Sequence, residues 1–236
     1  MKRFFPRFLC LLFSAVPLAA LAQKSALPPP PVPDGVTRSK LPDGPLVNTR
    51  LPHFASWSID YVYPSQHGST PQRPAGDPQP VRTVFTRTGN VFHEQRTFAE
   101  GADGELWSDG KVTVERKPGQ TELSAVLSLQ TPGDDFPDFD WVAKGNYLGF
   151  AVQDGEKCLV FGENKFSAEG DFLGPAYAYV DYTTRLPVIF ETPSLSQKYT
   201  ILSPPATAIA MPEAAVAAAK AMQDQIRKAT PHLGAP

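Results

Sequence analysis

Cysteine is nearly absent from this 236-residue chain: Cys10 and Cys158 are the only two. A disulfide framework therefore cannot hold it together. Histidine is also scarce. His53, His67, His93 and His232 lie in separate segments with no i,i+2 or i,i+4 pair, so no histidine-based metal site is built. There is no Gly-x-Ser-x-Gly elbow and no glycine-rich phosphate loop ahead of a helix. Nothing argues for an enzyme or for a cofactor. No segment supplies the roughly 20 consecutive apolar residues that a transmembrane helix needs. Basic residues do not exceed acidic ones, at 22 against 24. That balance argues against nucleic acid as a partner, because phosphate backbones are bound by clustered Lys and Arg.

What is present begins with an export leader. Lys2, Arg3 and Arg7 precede a short apolar run at 8–19, and Ala20-Leu21-Ala22 places small residues where a signal peptidase reads them. The expectation is a signal peptide at 1–22, cleavage near Ala22/Gln23, and a periplasmic or secreted protein. Cys10 sits inside the apolar run rather than at the cleavage site, so lipid attachment is rejected. Without Lys2, Arg3 and Arg7 the basic count falls from 22 to 19 against 24 acidic, a net charge of −5. Cys158, within Lys157-Cys158-Leu159-Val160-Phe161, reads as a buried inert thiol.

Residues 23–52 are proline-rich and follow neither a period of two nor one of 3.6. They read as an extended linker that does not pack into the domain. From residue 53 to 203 the pattern turns to antiparallel β. Trp57, Ile59, Tyr61 and Tyr63 alternate with Ser56, Ser58 and Asp60, the mark of a half-buried strand. After a Pro/Gly/Ser loop at 64–80, strands follow at 81–87 and 91–98, then at 105–108 and 111–116 across Asp109-Gly110. Residues 121–130 suit a helix or a strand. Further strands are expected at 147–153 and 156–162 across Asp154-Gly155, at 176–183 and 186–191, and at 198–202. Residues 204–236 are Ala-rich, with a helix at 211–229 started by Pro212 and Glu213 and ended by Arg227 and Lys228. The fold class is mainly β: an antiparallel curved sheet or open half-barrel with a C-terminal α-helix.

An acidic, aromatic loop at 133–141 offers Asp134, Asp135, Asp138 and Asp140 for Ca²⁺. It lacks the spacing and central glycine of an EF-hand loop, and Pro137 interrupts it. The favoured reading is a loop pinned by Phe136, Phe139 and Trp141, with its carboxylates in water. In Cys158-Leu159-Val160-Phe161 and Val188-Ile189-Phe190 both strand faces are apolar. Such strands are either covered on both sides or line an apolar groove. The groove reading selects Trp57, Ile59, Tyr61, Phe85, Trp107, Phe150 and Tyr179 as a ligand-binding concave face. Lipid or a lipoprotein acyl chain is the expected ligand. A structural or protein-interaction domain that meets another envelope protein is the alternative.

Two motifs carry a family resemblance. Glu105-Leu106-Trp107-Ser108-Asp109-Gly110-Lys111 and the run from Ala176 through Tyr179, Asp181, Thr184, Leu186 and Pro187 to Val188 resemble hairpins of the LolA/LolB-like superfamily. These are the periplasmic lipoprotein carriers and their relatives. The resemblance spans about residues 57–202. It implies an unclosed antiparallel barrel around a helix-plugged apolar cavity that binds acyl chains. It also implies plug helices, for which 121–130 is the one candidate, and a buried arginine, which no motif selects among Arg82, Arg87 and Arg96.

Overall fold

A computed structural model describes residues 28–64, 79–99, 101–127 and 135–229. The expected leader at 1–22 and most of the 64–80 loop lie outside the described residues. Among the described residues there are eleven strands: β1 (Phe54–Val62), β2 (Pro80–Thr88), β3 (Val91–Phe98), β4 (Asp103–Ser108), β5 (Val112–Arg116), β6 (Ser124–Leu127), β7 (Tyr147–Gln153), β8 (Glu156–Phe166), β9 (Phe172–Asp181), β10 (Pro187–Thr192) and β11 (Leu195–Leu202). The α-helix α1 (Glu213–Ala229) follows them. Of residues 121–130, open to either reading, Ser124–Leu127 form the edge strand β6, and 128–130 lie outside the described residues.

All eleven strands join one antiparallel sheet in the order β6-β5-β4-β3-β2-β1-β11-β10-β9-β8-β7. Two meanders, β1 to β6 and β7 to β11, are thus zipped together by the pairing of β1 with β11. The sheet stays open, with β6 and β7 at opposite edges. Turn chemistry fixes several hairpins. Asp154 and Gly155 adopt φ of 51° and 86° between β7 and β8, the pair of positive values that a two-residue type I′ turn requires. Register shifts within four of the strand pairings bend the ladder locally, as bulges do.

Alternation along β1 defines two faces. Trp57 is opposite Phe85 in β2, and Ile59 and Tyr61 are opposite Tyr199 and Gln197 in β11, so these side chains share one face, the inner one. The described part of the crossover from β6 to β7, which begins at Asp135, lies on that face. Its one-turn helix Pro137–Phe139 seats Phe136 and Phe139, both fully buried, among Trp57, Phe161, Ala178, Phe190 and Tyr199. Phe139 meets Tyr199 edge-on at 5.3 Å between ring centres, and Phe136 meets Trp57 at 6.0 Å.

The outer face carries two separate apolar patches. Trp107, Val112 and Val114 lie under α1, which contributes Ala215 and Ala219. Ala151, Cys158, Val160 and Tyr179 lie under Val36. This second cover overturns the expectation that the proline-rich segment stands apart. Asn164 Nδ2 donates to the Pro28 carbonyl at 2.8 Å, and the Tyr177 hydroxyl donates to the Pro31 carbonyl at 2.8 Å. Thr37 exchanges both backbone bonds with Phe150, at 2.8 and 3.0 Å, on the free edge of β7. Leu41, Leu46, Val47 and Leu51 then pack against the inner core.

The physical reason is that a strap needs few amide donors of its own. Its carbonyls accept hydrogen bonds from strand side chains, and prolines that already hold φ near −65° lose little entropy on docking. The strap also covers the sheet edge at β7, which would otherwise expose unpaired backbone groups.

Candidate functional site

The inner face is the candidate site, and it brings together only part of the expected set. Trp57, Ile59, Tyr61 and Phe85 are assembled there, with Trp57 stacked on Phe85 at 5.0 Å. Phe150 shares the inner face by register with Leu159. It lies at the β7 edge, where the Lys157 ammonium sits 4.2 Å from its ring centre. Trp107 and Tyr179 do not belong with the others.

Strand parity explains both corrections. Phe85 faces Glu94 and Glu94 faces Leu106, so Leu106 points inward and its neighbour Trp107 outward. There Trp107 stacks on His93 at 3.7 Å beneath α1. In the same way Phe190 pairs with Ala178, which turns Tyr179 to the outer patch under the strap. A one-residue step along a strand exchanges the faces.

Residues that sequence reasoning passed over hold the inner face closed. Arg87 of β2 and Asp135 of the crossover form an ion pair whose side chains are 18 % and 6 % exposed. Arg87 Nη2 also donates to the Leu51 and Pro52 carbonyls at 2.8 and 2.9 Å, and Leu51 N–H donates to Asp135 Oδ2 at 2.7 Å. One ion pair therefore ties sheet, strap and crossover together. The guanidinium carbon lies 5.9 Å from the Trp57 ring centre. Arg87 is thus an arginine set among apolar and aromatic neighbours, a position that no motif had selected.

The carboxylates of the acidic loop are not simply in water. Asp135 is engaged by Arg87, and Asp138 Oδ2 lies 3.0 Å from the Tyr199 hydroxyl. Burial first, and the Asp138 charge second, push the Tyr199 phenol upward, so it stays protonated as a donor. Aromatic pinning by Phe136 and Phe139 was legible, whereas the roles of the acids were not. Among the described residues no group of three or more His, Cys, Asp or Glu is placed to hold a metal ion. Asp134 lies outside the described residues.

Two polar atoms on this face stand out. Trp57 Nε1 and Arg87 Nε are both buried without a hydrogen-bond partner among the described residues. A cleft of about 260 Å³ opens at the rim of the same face, lined by Phe166, Leu173, Gly174, Phe190 and Pro193 among others. A second, polar cleft of about 200 Å³ lies among Gln95, Arg96, Asp103, Glu105 and Arg116. Cys158 is fully buried, and burial pushes its thiol up to about 11, which makes it a poor nucleophile. Among the described residues, no helix is long and apolar enough to cross a membrane.

No protein-family model matches the chain, and no curated protein matches it.

Proposed function

We propose that this chain is an exported, non-catalytic module that binds an acyl chain of a lipid or lipoprotein on the inner face of its open sheet. The observation that carries the reading is the pair of buried, unpartnered donors, Trp57 Nε1 and Arg87 Nε, beside the aromatic cluster of Trp57, Phe85, Phe92 and Phe136. A buried donor left without an acceptor costs about 1–3 kcal/mol. An ester or amide carbonyl at the head of an acyl chain supplies such an acceptor, while the chain itself suits the aromatic lining. The inner face is closed by loop segments, Phe136, Phe139 and the strap, rather than by a strand. Ligand binding in this reading displaces those segments, and the Arg87–Asp135 pair is what they must release. The resemblance to periplasmic lipoprotein carriers agrees with this reading.

The test is native mass spectrometry, with organic extraction, of chain purified from its envelope fraction. Bound acyl lipid in stoichiometric amount is expected. A ligand-free mass, together with failure to take up added fatty acid or phospholipid, would end the reading. In that event the alternative, a protein-interaction domain of the cell envelope, is favoured by the exposed Phe166, Phe172 and Leu173.

A further inference from the structure

Beside the turn between β9 and β10, where Tyr182 packs against the inner core, the inner face ends in a cationic corner. Arg185 sits in that turn and is 8 % exposed, yet its Nη1 has no hydrogen-bond partner among the described residues. Its guanidinium carbon lies 5.2 Å from the Tyr182 ring centre. The Lys157 ammonium lies 4.2 Å from that same ring centre and 4.2 Å from that of Phe150. We propose that this corner seats the phosphate of a glycerophospholipid. The inference rests on the acyl-binding reading of the inner face and names the headgroup that goes with it.

Charge comes first. A guanidinium cannot shed its proton to escape burial, and a buried charge needs a counter-charge or a full set of acceptors. Among the described residues no carboxylate forms an ion pair with Arg185 or Lys157. Asp181 acts on Arg185 electrostatically, but its Oδ1 accepts from the Thr183 and Thr184 amides and from the Thr184 hydroxyl. The backbone points the same way. Arg185 has φ of 63°, a value that glycine or asparagine adopts more readily. The turn alone does not require an arginine; what arginine adds there is its side chain. Its amide donates to the Asp181 carbonyl at 3.0 Å, and its carbonyl accepts from the Asn48 amide at 2.7 Å. The point from which the side chain departs is thus fixed on both sides.

Position decides between a phosphate and a carboxylate. Arg87, whose Nε lacks a partner near Trp57, donates to the strap at the Leu51 carbonyl. Arg185 meets the strap at Asn48, three residues earlier, a stretch of at most about 11 Å when extended. A fatty acid has one polar group and fills one of these stations. A glycerophospholipid has an ester carbonyl and a phosphate joined through glycerol and fills both, and the arginine fork matches phosphate oxygens. Asn48 Nδ2 also donates to the Thr184 carbonyl at 2.6 Å. The strap that packs against the aromatic cluster therefore latches onto the Arg185 turn as well, and one displacement opens both.

The test compares dioctanoyl phosphatidylglycerol with dioctanoylglycerol, which has the same chains and no phosphate, by tryptophan fluorescence titration. The phospholipid is expected to bind at least about ten-fold more tightly, the worth of one charge-assisted hydrogen bond. Arg185→Gln should remove that preference and leave the dioctanoylglycerol affinity unchanged. Lys157→Gln, at an exposed position where folding is not at stake, should reduce the preference about three-fold. Equal affinities for the two lipids would overturn the headgroup seat and leave the acyl reading standing. A preference that survives both substitutions would overturn it as well. Binding of neither lipid would end both readings. Octanoate that binds as tightly as the phospholipid would overturn the proposal in favour of a carboxylate. Glycerol phosphate that raises the thermal midpoint as much as the phospholipid does would overturn it in favour of a free phosphate ester.

Discussion

Strands β2 to β5 and strands β7 to β9 belong to one antiparallel sheet, yet the second group is apolar on both faces and the first is not. In β8, Cys158, Leu159, Val160 and Phe161 are each at most 1 % exposed. In β3 and its neighbours a charged ladder crosses the strands instead. Arg96 pairs with Glu94 and Glu115, and Arg116 with Glu105. The difference follows from what lies above and below. The β7–β9 region is sandwiched between the crossover inside and the strap outside, while α1 covers only the β4–β6 side of the other half. A strand that reads apolar on both faces signals two covers, and one of those covers here is a segment whose own composition advertises none.

The largest expected effect separates the two regions by stability. Phe161→Ala empties a site covered on both sides and should cost about 3–5 kcal/mol in urea denaturation. Phe85→Ala, at a half-buried position, should cost about half as much. Equal losses would mean that the two halves are packed alike.

Asp135→Asn tests the link between the halves. It leaves the Arg87 guanidinium without its ion-pair partner in a largely buried position and should cost about 3 kcal/mol. Adding Arg87→Met should recover part of that loss, since an unpaired buried charge is worse than none. A strictly additive double variant would show that the two side chains act independently.

Gly149→Ala tests the strap at the point where it meets the sheet edge. Gly149 has φ of +150°, and a Cβ there would overlap the Thr37 carbonyl oxygen. The bridge between Thr37 and Phe150 must then open, with a loss of about 2 kcal/mol for its two hydrogen bonds. Amide exchange at Thr37 should accelerate. Unchanged exchange would mean that the strap is held elsewhere.

Much of this was legible beforehand and some of it was not, for reasons that particular residues make plain. Period-two alternation located β1, and Asp154-Gly155 located the β7–β8 hairpin, because both signals are local. From the sequence alone Trp107 and Tyr179 read as inner-face residues, and they prove to be outer ones, because their neighbours Leu106 and Ala178 are apolar too. With both parities apolar, only cross-strand register decides. Leu41, Leu46, Val47 and Leu51 follow no period because an extended strap matches the spacing of the surface beneath it, not its own. Asp135 and Arg87 are 48 positions apart, and no local pattern joins them.

A smaller effect distinguishes the α1-covered face by pH. Burial holds His93 below its usual value of 6.5, against the attraction of Glu105 at 3.5 Å. The unfolded chain therefore binds this proton first, so His93 lowers stability as pH falls below about 6.5, and its effect levels off below the folded value. Above 6.5 it contributes no slope. Glu105 behaves separately. Burial raises its carboxyl, but hydrogen bonds and charge from Arg116, Trp107 and His93 outweigh that and hold it below 4.5. Its contribution is lost only as pH falls below that value. The thermal midpoint of His93→Gln should be flatter than that of the parent just below pH 6.5 and should follow it at pH 4. Parallel curves through both ranges would place the His93 ring in water.

The inner face itself is tested most directly by the fluorescence of Trp57. Trp107→Phe with Trp141→Phe leaves Trp57 as the single tryptophan, and it is 2 % exposed against Phe85 and Phe136. Titration with fatty acids brominated along the chain should quench its emission saturably, and unbrominated fatty acid should restore it. Asp135→Asn in the same background should accelerate the onset of quenching, because the covering segments are less firmly tied. Emission that stays constant throughout the titration, in a chain whose thermal midpoint shows it to be folded, would contradict an acyl-binding inner face.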